Sequence, residues 1–397
     1  ALSRRHFSQT RRLMTEPDML PGALRRLAGL LAPVLGGPAP AAVEVDGNLV
    51  RLAIHRHQVG PLLHAALLSR PETATEDLMR DLQAARWRST DRHALDLARL
   101  RRIGEMFTED GVSWMALKGT PQAARLYGDP GLRPSSDIDL LVTPRDFVRA
   151  VTLLADRGYV PSNPPAPPGP LRAPVLAAVR DVSLIASDDR TCAVDLHRRL
   201  FLAVGGRAQR LQLTPEVGPL PMPRMDADLA CYLIMHGAQS YWVRLKWLVD
   251  IVVLLSILDD REKLAIMTRA QQVGVEKSVA ASLLLLRLLF PFAQLGPLEP
   301  WITGEQQQSA VRKRLARYAE MIGADSNWKR SPLDNARVGM EAYWALFEAP
   351  WTRARMIPVA LLSSAVRRLA GAVWRADRAL TRDDRSPDQI AAAQRLR

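Results

Sequence analysis

Cysteine and lysine are scarce in this chain. Its 397 residues include two cysteines, Cys192 and Cys231, far apart and in no metal-ligand spacing. That usage fits a cytosolic protein with reduced thiols. Long hydrophobic runs are also missing. The longest, near Trp247–Leu258 and Ala280–Leu289, are interrupted or fall short of the roughly 18–20 residues that a membrane span needs. No apolar signal segment follows the arginines of residues 1–14, so that acid-free stretch reads as a disordered arm and the expected location is cytoplasmic. There is no His-Glu-x-x-His zinc helix, no Gly-x-x-x-x-Gly-Lys-Ser/Thr loop and no Gly-x-Ser-x-Gly elbow. A zinc protease, a Walker-type ATPase and a serine hydrolase are thereby disfavoured.

Charge of one sign is short only locally. The net charge is +13, yet residues 1–30 and 351–397 carry +4 and +6 of it, which leaves +3 for the 320 residues between. The basic excess lies in the two arms, as a solvated face or as a contact for RNA or anionic lipid. Arginine outnumbers lysine by forty-eight to six, a compositional bias. Against it Lys118, directly before Gly119, stands out. Lysine serves phosphates as a mobile point charge.

What is present centres on Leu117-Lys118-Gly119-Thr120 and Asp137-Ile138-Asp139-Leu140-Leu141-Val142. Side chains alternate along a strand, so Asp137 and Asp139 share one face while Ile138, Leu140 and Val142 point into a core. Two adjacent carboxylates repel each other unless a cation lies between them. Mg2+ takes one or two carboxylates together with phosphate oxygens. Gly119 and Thr120, at a helix start, would let backbone N–H groups approach a phosphate. Asp181–Ala186 and Cys192–His197 read as a hairpin across the polar turn 187–190. Asp195, between Val194 and Leu196, would be a third carboxylate. A lone acid in an apolar strand is costly unless it is paired or metal-bound.

A coarse pass predicts helices over 20–36, 47–69 and 75–109, the last ending at Asp110-Gly111. Strands follow over Val112–Leu117 and Ser136–Val142, with a helix over Thr120–Tyr127 between them. A further helix spans Pro144–Arg157 with Thr143 as its N-cap. Residues 161–174 hold seven prolines and read as a surface loop. From about Asp226 the pattern is helical nearly to the end.

The order Gly-Thr, helix, Asp-x-Asp, then a single Asp on a later strand resembles the polymerase-beta-like nucleotidyltransferase superfamily. The wider wording is similar to a bacterial branch of uncharacterised nucleotidyltransferases. It rests on Leu117-Lys118-Gly119, Leu126-Tyr127, Arg133, the Asp137–Val142 run, Gly158-Tyr159, Val194-Asp195-Leu196-His197, His236-Gly237-Ala238 and Leu245–Asp250. The resemblance covers roughly residues 50–260. It implies an α+β fold, with a small mixed sheet flanked by N-terminal helices and a C-terminal all-helical domain. The implied boundaries are a basic arm and helical segment over 1–85, a nucleotidyltransferase core over 86–215 and helices over 216–397.

The implied chemistry is transfer of a nucleoside monophosphate from an NTP such as ATP to a hydroxyl of a small molecule or peptide, with Mg2+ or Mn2+. Asp137, Asp139 and Asp195 would hold metal, while Lys118, Gly119, Thr120 and Arg133 would bind the triphosphate. Two other readings stay open: an RNA 3′-end as acceptor, reached through the basic arms, and a degenerate nucleotide-binding module without catalysis.

A second constellation of His236, Gln239, Arg244, Lys246 and Asp250 falls on a helix pair. These residues either wall the nucleotide site or belong to the core, and an i, i+4 ion pair would explain Lys246 and Asp250. His197 shares a strand face with Asp195 and would orient it or touch substrate. Trp114, Trp242 and Trp247 are candidates for base stacking or for core packing.

Overall fold

A computed structural model describes residues 19–40, 44–164, 172–187, 189, 192–201, 210–216, 218, 220–324 and a few positions between 365 and 371. The basic arm over 1–18, most of 351–397 and the proline-rich stretch 165–171 lie outside these residues.

Five strands form one mixed sheet: β1 (Trp114–Gly119), β2 (Asp137–Val142), β3 (Tyr159–Asn163), β4 (Asp181–Ala186) and β5 (Ala193–His197). Their spatial order is β1-β2-β5-β4-β3, and only β2 and β5 run parallel. Thirteen α-helices accompany the sheet among the described residues. Four precede it: α1 (Gly22–Leu31), α2 (Gly47–Arg51), α3 (Gly60–Leu67) and α4 (Glu76–Glu109). Three are interleaved with its strands: α5 (Thr120–Tyr127), α6 (Phe147–Asp156) and α7 (Arg172–Ala178). Six follow: α8 (Ala227–Gln239), α9 (Leu245–Ile257), α10 (Asp260–Val273), α11 (Glu276–Leu289), α12 (Glu299–Glu305) and α13 (Ser309–Gly323). The class is α+β, as the sequence predicts. None of the described helices is long and apolar enough to cross a membrane.

The sheet separates two cores. On one face Ile138, Leu140, Val182, Leu184, Val194 and Leu196 pack against Leu100, Ile103 and Phe107 of α4 and Phe147, Val151 and Leu154 of α6. This is the alternation expected of strands with one fully apolar face. On the other side Met115 and Leu117 join a larger core that holds both the N-terminal helices and α8–α13. The open end of that second face carries the charged residues.

Three local readings are corrected. The helix after β2 begins at Phe147, not at Pro144. Thr143 Oγ1 donates to Asp146 Oδ2 at 2.5 Å, so the two close a polar turn ahead of the helix. Pro161 lies inside β3, opposite Leu184. It is tolerated because β3 is an edge strand, where a missing N–H breaks no ladder. Pro174 sits at the third position of α7, within the first turn, where the backbone N–H has no intrahelical partner to lose.

Candidate active site

The parallel pairing of β2 with β5 places Asp139 directly opposite Asp195, two pairs after Asp137 opposite Ala193. Asp137, Asp139 and Asp195 bring one carboxylate oxygen each to within 4.8 Å of the others. Asp139 is 2% exposed. Its Oδ2 receives the Lys118 ammonium, and its Oδ1 lies 3.1 Å from His197 Nε2. Burial opposes the negative charge on Asp139, but Lys118 and His197 outweigh it and hold the carboxyl far below the usual range. Lys118 is shifted upward in return: burial disfavours its charge, and Asp139 and Asp137 more than compensate. Asp195 moves the other way. Burial raises it, and the charges of Asp139 and Asp137 raise it further.

The sequence profile of a family described as "Uncharacterised nucleotidyltransferase" matches residues 45–291, more than half of the chain. The chain belongs to this nucleotidyltransferase family. No curated protein and no solved structure matches it. The match extends beyond the stretch that carries the sequence resemblance and takes in α3, α4 and the first four helices after the sheet.

The transferase presents Lys118 through an irregularity in β1. Ala116 pairs with Leu140 and Gly119 with Ile138, so β1 has one residue more than β2 over that span. Such a bulge re-aims the following side chains, and here it brings Lys118 to the carboxylates. Gly119 follows with φ +81, and a Cβ there would lie 2.8 Å from Ser135 Oγ. Only glycine suits both demands. Gly119 therefore lines the cavity with backbone alone. Thr120 turns away. It is 1% exposed, and its hydroxyl faces the buried Asp96 at 3.5 Å. Arg92 Nε donates to the same Asp96 oxygen at 2.8 Å. A role for Thr120 at the phosphates would rest on its backbone N–H.

Helices α8 and α9 close the cavity, which has a volume of about 270 Å3. Asp226 caps α8 by accepting from the N–H groups of Asp228 and Leu229, both at 3.0 Å. The corner between the helices holds Tyr241 and Trp242 at φ +51 and +54, a region non-glycine residues seldom occupy. Trp242 is fully buried and its Nε1 donates to Ser282 Oγ at 3.0 Å, which secures the corner. Trp242 is thus a core residue. Trp114 is half-buried and packs against the core of the sheet's other face, its ring edge-on to Phe107 at 6.4 Å. Trp247 alone of the three lines the cavity. It stacks edge-on with His236 at 5.4 Å and lies 5.7 Å from the Arg244 guanidinium.

His236, Arg244 and Lys246 all line the cavity. Burial, reinforced by Lys118, keeps the His236 ring well below its ordinary pKa. Burial, then Arg133 and Arg244, pushes the Lys246 amine well down as well. Lys246 Nζ donates to the carbonyl of Pro134 at 3.0 Å. The expected Lys246–Asp250 ion pair is not formed. Asp250 is instead gripped by Arg133, whose Nε donates at 2.9 and 3.1 Å and whose Nη2 donates at 2.7 Å. Tyr127 OH adds a bond of 2.7 Å to the same carboxylate. Arg133 borders the cavity, but its Nε and Nη2 are committed to Asp250, so its placement is that of a brace between the loop before β2 and α9.

Local pattern missed Asp181. It pairs across the hairpin with His197, and its Oδ2 lies 3.8 Å from His197 Nδ1. His197 thus sits between two carboxylates, with Arg180 bonded to Asp181 on the outer side. The hairpin register would have revealed this, since setting Ala186 opposite Cys192 across the turn and counting back brings Asp181 to His197.

Proposed function

We propose that the protein transfers a nucleoside monophosphate from an NTP to a hydroxyl group, with Mg2+ or Mn2+ held by Asp137, Asp139 and Asp195. The observation that carries this reading is the in-register Asp139–Asp195 pair with Asp137 beside it, three oxygens within 4.8 Å. An all-carboxylate oxygen set suits hard divalent cations. The cation would neutralise the triphosphate and the charge that develops on it.

The chain's own groups supply the rest. The Gly119 backbone leaves room for phosphate oxygens at the start of α5. Lys118 provides a positive charge at the same edge. The acceptor hydroxyl oxygen forms a bond to the α-phosphorus as the bond from that phosphorus to the α,β-bridging oxygen breaks, and pyrophosphate leaves with that electron pair. Asp195 takes the hydroxyl proton. His197 positions Asp139, and Lys246 fixes the loop ahead of β2. The acceptor class we favour is a small molecule or a peptide.

The test is incubation with each α-labelled NTP, Mg2+ and a cell extract, in wild type and in Asp137→Asn. The variant should stay folded and lose several kcal/mol of transition-state stabilisation, about three orders of magnitude in labelling. Unchanged labelling with unchanged Mg2+ dependence would overturn the assignment. Absence of labelling in wild type, with NTP bound, would instead support a nucleotide-binding module without catalysis.

A further inference from the structure

The acidic cavity does not stand alone. Gln239, Ser240, Arg244 and Trp247 line it and also line a second cleft of about 1070 Å3. The second cleft lies between α1, α2 and the α8–α9 corner, with Gly323 and Ala324 at its far side. Among the described residues its lining includes four arginines, Arg26, Arg51, Arg56 and Arg244, and neither aspartate nor glutamate. The carboxylates among the described residues of the two spaces all lie in the smaller one.

The arginines differ in their partners. Arg26 pairs with Asp46 at 3.3 Å, an exposed pair of small worth. Arg56 donates to the carbonyls of Met321 and Ala324, at 3.1 and 3.3 Å. Arg51 is bonded to the side chain of Asn48, and Arg244 donates to Gln58 Oε1 at 3.0 Å. A guanidinium oriented by a neutral partner keeps its full charge for a ligand. Arg244 is also partly desolvated, with its pKa pushed down by burial. It stands at the wall common to both spaces.

Size divides the tasks. Small-molecule sites usually span about 300–1,000 Å3, and the acidic cavity at about 270 Å3 is too small for both reactants. We propose that the arginine-lined cleft is the acceptor site, and that the acceptor is a small molecule bearing a phosphate or carboxylate group whose hydroxyl reaches the acid triad past Arg244 and Trp247. The inference rests on the transferase reading. A nucleic acid would need a track of successive phosphate contacts, whereas these arginines ring one concave space.

The test is calorimetric titration of the full chain with inorganic phosphate and with citrate, without metal or NTP, and with a ten-nucleotide RNA as a third probe. Wild type should bind at least one of the small anions. Arg51→Glu, at an exposed position of α2, should weaken that binding about tenfold or more, the scale of one charged hydrogen bond. Arg51→Ala, with an unchanged melting curve, should weaken it in the same direction. Loss of binding in Lys118→Met but not in Arg51→Glu would place the anion beside the triad and overturn the proposal. So would failure of both small anions to bind. RNA binding far tighter than either small anion and lost in Arg51→Glu would assign the cleft to nucleic acid and overturn it too. Because these are binding measurements without NTP, they stand apart from the transferase reading, which fails on the Asp137→Asn labelling result.

Discussion

Two buried charged regions lie on either side of the loop before β2, and they are built on opposite principles. In one, Asp250 is matched group for group: Tyr127 OH and Arg133 Nε serve Oδ1, while Arg133 Nε and Nη2 serve Oδ2. In the other, three carboxylates face one another and share one ammonium and one imidazole. The matched region ties two parts of the chain together, β2's approach loop and α9. The unmatched region has charge left over. Local conflict that the surrounding fold tolerates is where function is expected.

The largest effect on stability should come from breaking the matched region. Arg133→Met would leave the Asp250 carboxylate buried and unpaired, which costs about 3–5 kcal/mol. The double variant Arg133→Met/Asp250→Leu removes both charges and should recover most of that loss. Urea unfolding midpoints of the two variants decide the matter. If the single variant unfolds at the wild-type midpoint, Arg133 is no brace and the contrast fails.

A smaller effect comes from His57, which belongs to the matched kind. Its ring is 1% exposed, and its Nδ1 accepts from the Leu245 N–H at 3.2 Å, so it caps the start of α9 in its neutral form. Burial, then Arg56, pushes its pKa down to about 3. Below pH 6.5 the unfolded chain binds a proton that the folded chain refuses. Stability from this residue is therefore full above pH 6.5 and is lost as pH falls from there toward 3, at about 1.4 kcal/mol per pH unit. His57→Asn keeps an acceptor and removes the titration. Its stability should flatten over that window, as measured by urea unfolding at pH 7, 6 and 5. An unchanged pH slope would show that His57 is not held neutral.

The unmatched region was far more legible in the sequence than the matched one. Asp137 and Asp139 are two residues apart on a strand, and the alternation that puts them on one face is local. Asp195 reads as odd in its own strand. The α4 span and the strands β2, β4 and β5 follow from similarly local patterns. Arg133 and Asp250 are separated by more than a hundred positions, and nothing local joins them. The i, i+4 spacing of Lys246 and Asp250 instead suggested a pairing that tertiary packing overrides, because Arg133 offers a bidentate geometry and Lys246 turns to the Pro134 carbonyl. The arginine-lined cleft was invisible for the same reason. Arg51, Arg56 and Arg244 come together only when α2 and the turn after it meet the α8–α9 corner.

The smallest effect is the sharpest test of the contrast, because its sign should reverse. Neutralising an acid in the matched region removes a partner and destabilises. Neutralising Asp195 should do the opposite when no cation is present. Burial and the charges of Asp139 and Asp137 all disfavour its ionised form. Asp195→Asn is nearly isosteric and removes that repulsion, so the metal-free variant should melt higher than wild type by roughly 1–3 °C, the shift expected from well under 1 kcal/mol to about that much. The same substitution takes away the proposed base and oxygen ligand, so nucleotidyl transfer should collapse. Added Mg2+ should raise the melting temperature of wild type more than that of the variant. Stability given up at neutral pH and regained on ligation is the expected trade at a functional site. A metal-free melting temperature below wild type would mean that Asp195 is a satisfied structural carboxylate, and the two regions would then be built alike.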